Sequence, residues 1–219
     1  MKREQQKQLK QLKTALPKII KELAGKKKLK KKDFMLYGTN EDMFFDCQIF
    51  VSVNDNDECI CSTTENMKPL WMDDLLWELL DMKENSKEPL SLRAIGAFTV
   101  SGAEIYEKAT VLAEWTEEEL TPIVEEYVDH FCNSISATDF SVFEEKLSNG
   151  YHHELREALY HINNKDYHKA LEIVGEESSG PFSNGSINIF DAIREYCHRE
   201  KLDVQMKESQ NMARDIGVR

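Results

Sequence analysis

His153, Glu157 and His161 recur every four residues, which on a helix puts two imidazoles and a carboxylate on one face, with His168 following. That set could hold zinc. The zinc-protease pattern requires two histidines four apart with a glutamate between them. Here the histidines are eight apart and Glu157 takes the place of one, so the spacing is that of a polar helix face. Cys59-x-Cys61 puts two thiols on the same side of a strand with no second pair, which reads as buried free cysteine. Residues 54–65 offer Asn54, Asn56, Glu58, Ser62 and Glu65 at calcium-loop positions. The required glycine is Cys59 and the flanks are strand-like, so calcium is not expected. No activated-serine motif, phosphate-cradling glycine loop or dinucleotide fingerprint occurs. Cys197 and His198 point about 100° apart on a helix and form no dyad, and Glu126 and His130, at i and i+4, could pair, which is ordinary helix surface chemistry. The reading is no catalytic residue, no metal and no cofactor, with an enzyme of dispersed site kept as an alternative.

Charge carries more information. Thirteen of the first 32 residues are Lys or Arg against two acids, while the whole 219-residue chain carries −12. A basic arm precedes an acidic body. Lys26, Lys27, Lys28, Lys30, Lys31 and Lys32 form a run that suits phosphates or an anionic surface, including RNA. The arm's only arginine is Arg3, although Arg dominates bidentate base and phosphate recognition, and no aromatic residue interleaves with the charge before Phe34, so both features argue against nucleic acid and for a solvated loop or one that meets the protein's own acidic surface. Acidic clusters at Asp73, Asp74 and Glu78 and at Glu117, Glu118 and Glu119 would speed encounter with a basic protein. The five cysteines are an odd number without framework spacing, and no apolar stretch approaches a membrane span. These features suggest reduced thiols and a cytoplasmic protein.

The elements that must position these residues follow from periodicity. Leu9, Leu12, Leu16, Ile19 and Leu23 form a helical stripe. Because Pro17 disfavours a helix interior, the firm helix is expected to begin with Thr14 as cap and to end at Gly25, leaving residues 1–13 as a basic extension. The stripe suits pairing with a second copy in a homodimer or docking on a sheet, and Pro17 favours the sheet. Strands are expected around 34–37, 43–53 and 58–64, an amphipathic helix after Pro69, strands over 90–100 and 103–113, and a helix opened by the Thr116/Glu119 capping box. Residues 14–135 thus read as an α+β domain, an antiparallel sheet of about five strands in the order α-βββ-α-ββ-α. Residues 136–219 read as a helical subdomain with a helical hairpin across Asn163-Asn164. Tyr167 to Leu171 looks like a tetratricopeptide fragment, but no repeat accompanies it.

The segment Leu16 to Leu23, the lysine run, Asp33-Phe34-Met35-Leu36-Tyr37 and Met43-Phe44-Phe45 resembles a family of uncharacterised bacterial domains over residues 14–135. That resemblance implies a basic helix feeding a curved antiparallel sheet. The element order is also similar to type III secretion chaperones, and small acidic bacterial proteins of this kind include immunity proteins. Both analogies imply non-enzymatic binding of a basic protein partner through the acidic surface. The alternative is nucleic-acid or anionic-surface binding through the lysine arm.

Overall fold

A computed structural model of the chain describes the backbone of residues 3–216 and the side chains of residues 3–202. Two compact units emerge, Met1–Leu70 with Pro89–Tyr151, and Trp71–Glu88 with His152–Arg219. The expected boundary at 135/136 lies near the end of a helix in the first unit, and residues 71–88 group with the C-terminal part.

The first unit begins with α1 (Arg3–Lys27) and continues through β1 (Lys30–Lys32), β2 (Met35–Asn40), β3 (Met43–Val53) and β4 (Cys59–Pro69). After α2 (Leu70–Leu79) come α3 (Ser91–Ile95), β5 (Ala103–Leu112), α4 (Glu117–Ala137) and α5 (Phe140–Glu145). The five strands pair antiparallel in sequence order. Strand alternation sorts their side chains. Phe45, Cys47, Ile49 and Val51 lie opposite Met67, Glu65, Thr63 and Cys61, and all eight are buried. α1 and α4 pack against this sheet and against each other.

α1 begins earlier than the sequence suggested. Thr14 is interior, its hydroxyl donating to the Lys10 carbonyl at 2.8 Å, and Pro17 lies within the helix. Continuing the helix back past Pro17 brings Leu12 to the same buried face as Leu16, Ile19, Ile20 and Leu23. Burying such a side chain contributes about 2 kcal/mol, and this offsets much of the cost of about 3 kcal/mol for an interior proline. Residues 3–13 are therefore helix rather than a frayed extension. The C-terminus also moves, from Gly25 to Lys27, with Lys28 at φ 59° in the left-handed region. The Leu29 N–H donates to the Ala24 carbonyl and the Lys28 N–H to Gly25, the double closure of a Schellman cap.

Two further elements differ from expectation. The lysines of β1, read as a solvated loop, pair with Met35, Leu36 and Tyr37. Residues 90–100 are not a strand. Their alternating apolar pattern is short enough to suit either element. After Pro89 the segment turns into α3, which allows Arg93 Nη1 to donate to the Leu70 carbonyl at 2.7 Å. The sheet keeps five strands because β1 replaces the one lost.

The second unit comprises α2, α6 (His153–Asn163), α7 (Tyr167–Val174), the short hairpin β6 (Ser183–Asn184) and β7 (Ile187–Asn188), and α8 (Ile189–Ile216). Leu155, Ala158, Leu159 and Ile162 of α6 are buried, as are Ala170 and Val174 of α7, the stripes expected of a helical hairpin. Its turn places Lys165 at φ 61°, and the Asp166 carboxylate caps α7 by accepting from the Lys169 N–H. Asn184 Nδ2 donates to the Leu80 carbonyl, tying the β6–β7 segment to the end of α2.

Gly102 in the first unit lies so close to β4 that an added Cβ would sit 2.9 Å from Asn66 Cβ and 2.9 Å from the Met67 carbonyl oxygen. This is where β4 and β5 shift register. Gly102→Ala is expected to cost about 1–3 kcal/mol in urea unfolding. An unchanged midpoint would mean that the backbone yields without strain.

Candidate polyanion-binding face

With 100° per residue, Arg3, Lys7, Lys10, Lys18 and Lys21 of α1 fall within an arc of about 80°, roughly opposite the buried stripe. All five are exposed, and none has an ion-pair partner among the described residues. They extend over about 27 Å of helix. Thr14 and Pro17 complete the same outer line, so no large apolar side chain interrupts it. The burial of the opposite face fixes the direction in which these cations point.

The expected lysine run divides. Lys26 is held by Glu22 at 2.8 Å and Lys27 by Asp129 of α4 at 2.5 Å, and each ammonium is pushed above its ordinary value by that carboxylate. Lys31 bonds the Asp33 carbonyl. Lys28, Lys30 and Lys32 remain exposed and unpaired among the described residues. The unpaired cations are therefore those on the outside of α1 together with Lys28, Lys30 and Lys32.

The acidic residues nominated for a basic partner differ in exposure and in what they already bind. Asp73 is fully buried in the second unit, on the same side of α2 as Met72, Leu76 and Trp77, and is not a surface charge. A helix seen only as amphipathic gives no warning that one of its acids turns inward. Asp74 is half-buried and Glu78 pairs with Lys83 at 2.7 Å. In α4 the Thr116 hydroxyl caps the helix by accepting from the Glu119 N–H. The Glu119 carboxylate accepts from the N–H groups of Ala113 and Glu114 at 2.7 and 2.9 Å, across the left-handed Trp115. Glu117 and Glu118 remain exposed and line, with Gln8, Gln11 and Ala15 of α1, a shallow groove.

One buried polar cluster escaped the sequence reading. Glu65 of β4, fully buried, accepts from Ser134 Oγ at 2.6 Å and lies 2.9 Å from His130 Nδ1, with Tyr106 stacked on the His130 ring at 3.7 Å. Serine, histidine and glutamate meet here, but the serine proton is given to the carboxylate, and Ser134 Oγ is 3.4 Å from His130 Nδ1. The serine is thus held, not activated, and the cluster anchors α4 to the sheet. Only the i,i+4 relation of His130 and Ser134 was visible in sequence; their partner is more than sixty residues away.

The remaining candidates separate. His153 pairs with Glu157 at 3.1 Å, His161 with Asp166 at 3.5 Å and His168 with Glu172 at 3.2 Å. Among the described residues no group of three or more His, Cys, Asp or Glu is placed to hold a metal ion. Asn54, Asn56 and Glu58 form a hairpin turn in which Asn54 Oδ1 accepts two backbone N–H groups. The cysteines are free, and burial pushes the Cys61 thiol up to about 12 and that of Cys197 to about 11. Among the described residues no helix is long and apolar enough to cross a membrane.

No family model, curated protein or solved structure matches this chain.

Burial is the main influence on Glu65 and raises its carboxyl above the usual 4.5, with Ser134 and His130 pulling it partly back. The folded state therefore holds this proton more tightly than the unfolded one. Its contribution to stability is complete below about 4.5 and is lost as pH rises through the folded value. Relative to Glu65→Gln, the wild type is expected to lose stability as pH rises from 4.5 to neutrality, as read by urea melts; a gap independent of pH would refute the assignment. Thiol labelling gives a second test. Cys132 is the one cysteine that is not buried, so it should react with maleimide before unfolding, and Cys132→Ser should remove that fast phase.

Proposed function

We propose that this chain is a non-enzymatic nucleic-acid-binding protein that takes the phosphate backbone, without sequence preference, on the outer face of α1. The carrying observation is the line of Arg3, Lys7, Lys10, Lys18 and Lys21, exposed and without acidic partners among the described residues. The acidic alternative is weakened because Asp73 is buried and the carboxylates of Glu78 and Glu119 are already engaged. A membrane surface is less suitable, because the apolar stripe of α1 is packed inside and cannot enter a bilayer. Lysine supplies point charges without the planar fork that reads bases, which fits backbone recognition.

Binding of single-stranded and duplex RNA oligonucleotides at low salt, followed by fluorescence anisotropy, tests this reading. If each of the five cations displaces one counterion, log K should fall against log salt with a slope of about −3.5 on single strands. The triple change Lys7→Glu, Lys10→Glu and Lys18→Glu should weaken binding by at least about tenfold at low salt without lowering the urea midpoint. The control Lys83→Glu, Lys87→Glu should bind as the wild type does. Unchanged affinity in the triple variant would overturn the proposal.

A further inference from the structure

The face of the sheet turned away from α1 and α4 carries a polar row that the nucleic-acid reading does not use. Asp46 lies opposite Asn66, and Gln48 opposite Thr64. The segment from α3 to Gly102 and the Gly150–Tyr151 turn close over this row and leave a cleft of about 310 Å³. That volume is at the lower end of those that hold small molecules.

The chemistry of the lining narrows the ligand. Asp46 and Glu104 are balanced by Lys68 and Arg93, so the cleft has no net formal charge and favours neither an anion nor a cation. Both cations donate to backbone carbonyls. Lys68, fully buried, donates to the carbonyls of Arg93 at 3.1 Å and Val100 at 2.7 Å, and Arg93 donates to Leu70 at 2.7 Å. They brace the segment over the sheet, which leaves less cationic capacity for a ligand carboxylate or phosphate. Besides these charges the lining combines carboxamide and hydroxyl groups, notably Gln48, Asn66 and Thr64, with the apolar Met35, Ala94 and Val100, and Asn66 Nδ2 donates to Asp46 at 2.9 Å. Planar amides and carboxylates present paired acceptors and donors at the spacing of neighbouring hydroxyls. At the rim Tyr151 is 75% exposed and contributes an aromatic ring to the lining.

We infer that this cleft is a binding site for a neutral pyranose sugar, its hydroxyls held by Asp46, Gln48, Thr64 and Asn66 and its C–H face against Tyr151. The site is built within one compact unit, with Gly102 allowing the covering segment to approach β4 closely. It is independent of the α1 lysines, so either assignment can fail alone.

The experiment is a titration of the isotopically labelled full chain with D-glucose, D-galactose, D-mannose and N-acetyl-D-glucosamine, followed by backbone amide shifts. L-glutamate and inorganic phosphate serve as the zwitterionic and anionic probes. At least one sugar should give saturable millimolar shifts confined to residues 46–48, 64–68 and 99–104. Tyr151→Ala should weaken that sugar about fivefold, and Gln48→Ala by a similar factor, with the amide spectrum of each variant showing that it is folded. Saturable shifts with no sugar, or with glutamate or phosphate alone, would overturn the inference. So would sugar shifts that neither substitution alters, because the sugar would then sit elsewhere.

Discussion

The pairing of β3 with β4 is the constraint from which the first unit follows. Eleven residues of each strand lie in register from Met43–Pro69 to Val53–Cys59. Once that register is set, alternation assigns every side chain to a face, and a slip of one residue would exchange the two sets. One set, Phe45, Cys47, Ile49 and Val51 with their partners, requires a cover, and α1 and α4 supply it. The other set, Asp46, Gln48, Thr64 and Asn66, forms the floor of the cleft. The cationic helix face and the polar cleft are thus two consequences of one ladder. Packing α1 by its leucines leaves its lysines outward, and turning the polar row away from the helices leaves it for α3 and Gly102 to enclose.

That core also contains polar groups that must be satisfied where they lie. Glu65 and Thr63 occupy helix-facing positions that alternation would give to apolar residues. Thr63 meets Cys47 at 3.3 Å, and Glu65 receives Ser134 and His130. A buried carboxylate without such partners would be costly, whereas with them it fixes the position of α4 along β4 more specifically than apolar contact alone. Tyr127 adds a second polar tie, its hydroxyl lying 3.0 Å from the Cys61 carbonyl oxygen and 2.7 Å from Thr110 Oγ1. These bonds account for an α4 that is strongly acidic on its exposed side yet firmly seated on its inner one.

Much of this was legible in the residues, and the failures have identifiable causes. The leucine stripe of α1, the aromatic β3, the Thr116 cap and the Asn163-Asn164 hairpin depend on local pattern, which a linear reading registers. The start of α1 was misplaced because the penalty at Pro17 is local while the compensating burial of Leu12 is tertiary. Residues 90–100 deceived because alternation over so few positions does not separate strand from helix. Asp73 reads as surface because an acidic residue between apolar neighbours looks amphipathic whichever way it turns, yet it is buried. The Glu65 cluster and the cleft join residues far apart in the chain, with Asp46, Asn66, Arg93 and Glu104 coming from separate elements. Without the register of the sheet, nothing in the order of the residues brings them together.

A chain of net charge −12 is an unexpected host for a phosphate-binding surface. Electrostatics resolves this by distance. At physiological ionic strength a charge is largely screened beyond about 8 Å. Neighbouring cations along the line, such as Lys7 with Lys10 and Lys18 with Lys21, are one helical turn apart and reinforce one another within that range. A phosphate in contact with α1 therefore responds mainly to the nearest charges, which are those lysines and the Glu117 that lines a groove with Lys7, Lys10 and Lys18. The lysines also repel each other in the free protein, a strain that the buried stripe of α1 must hold against and that a polyanion relieves on binding. On this argument α1 bears opposite demands on its two faces, and the leucines that fasten it to the sheet are what allow so many like charges to be held in a line.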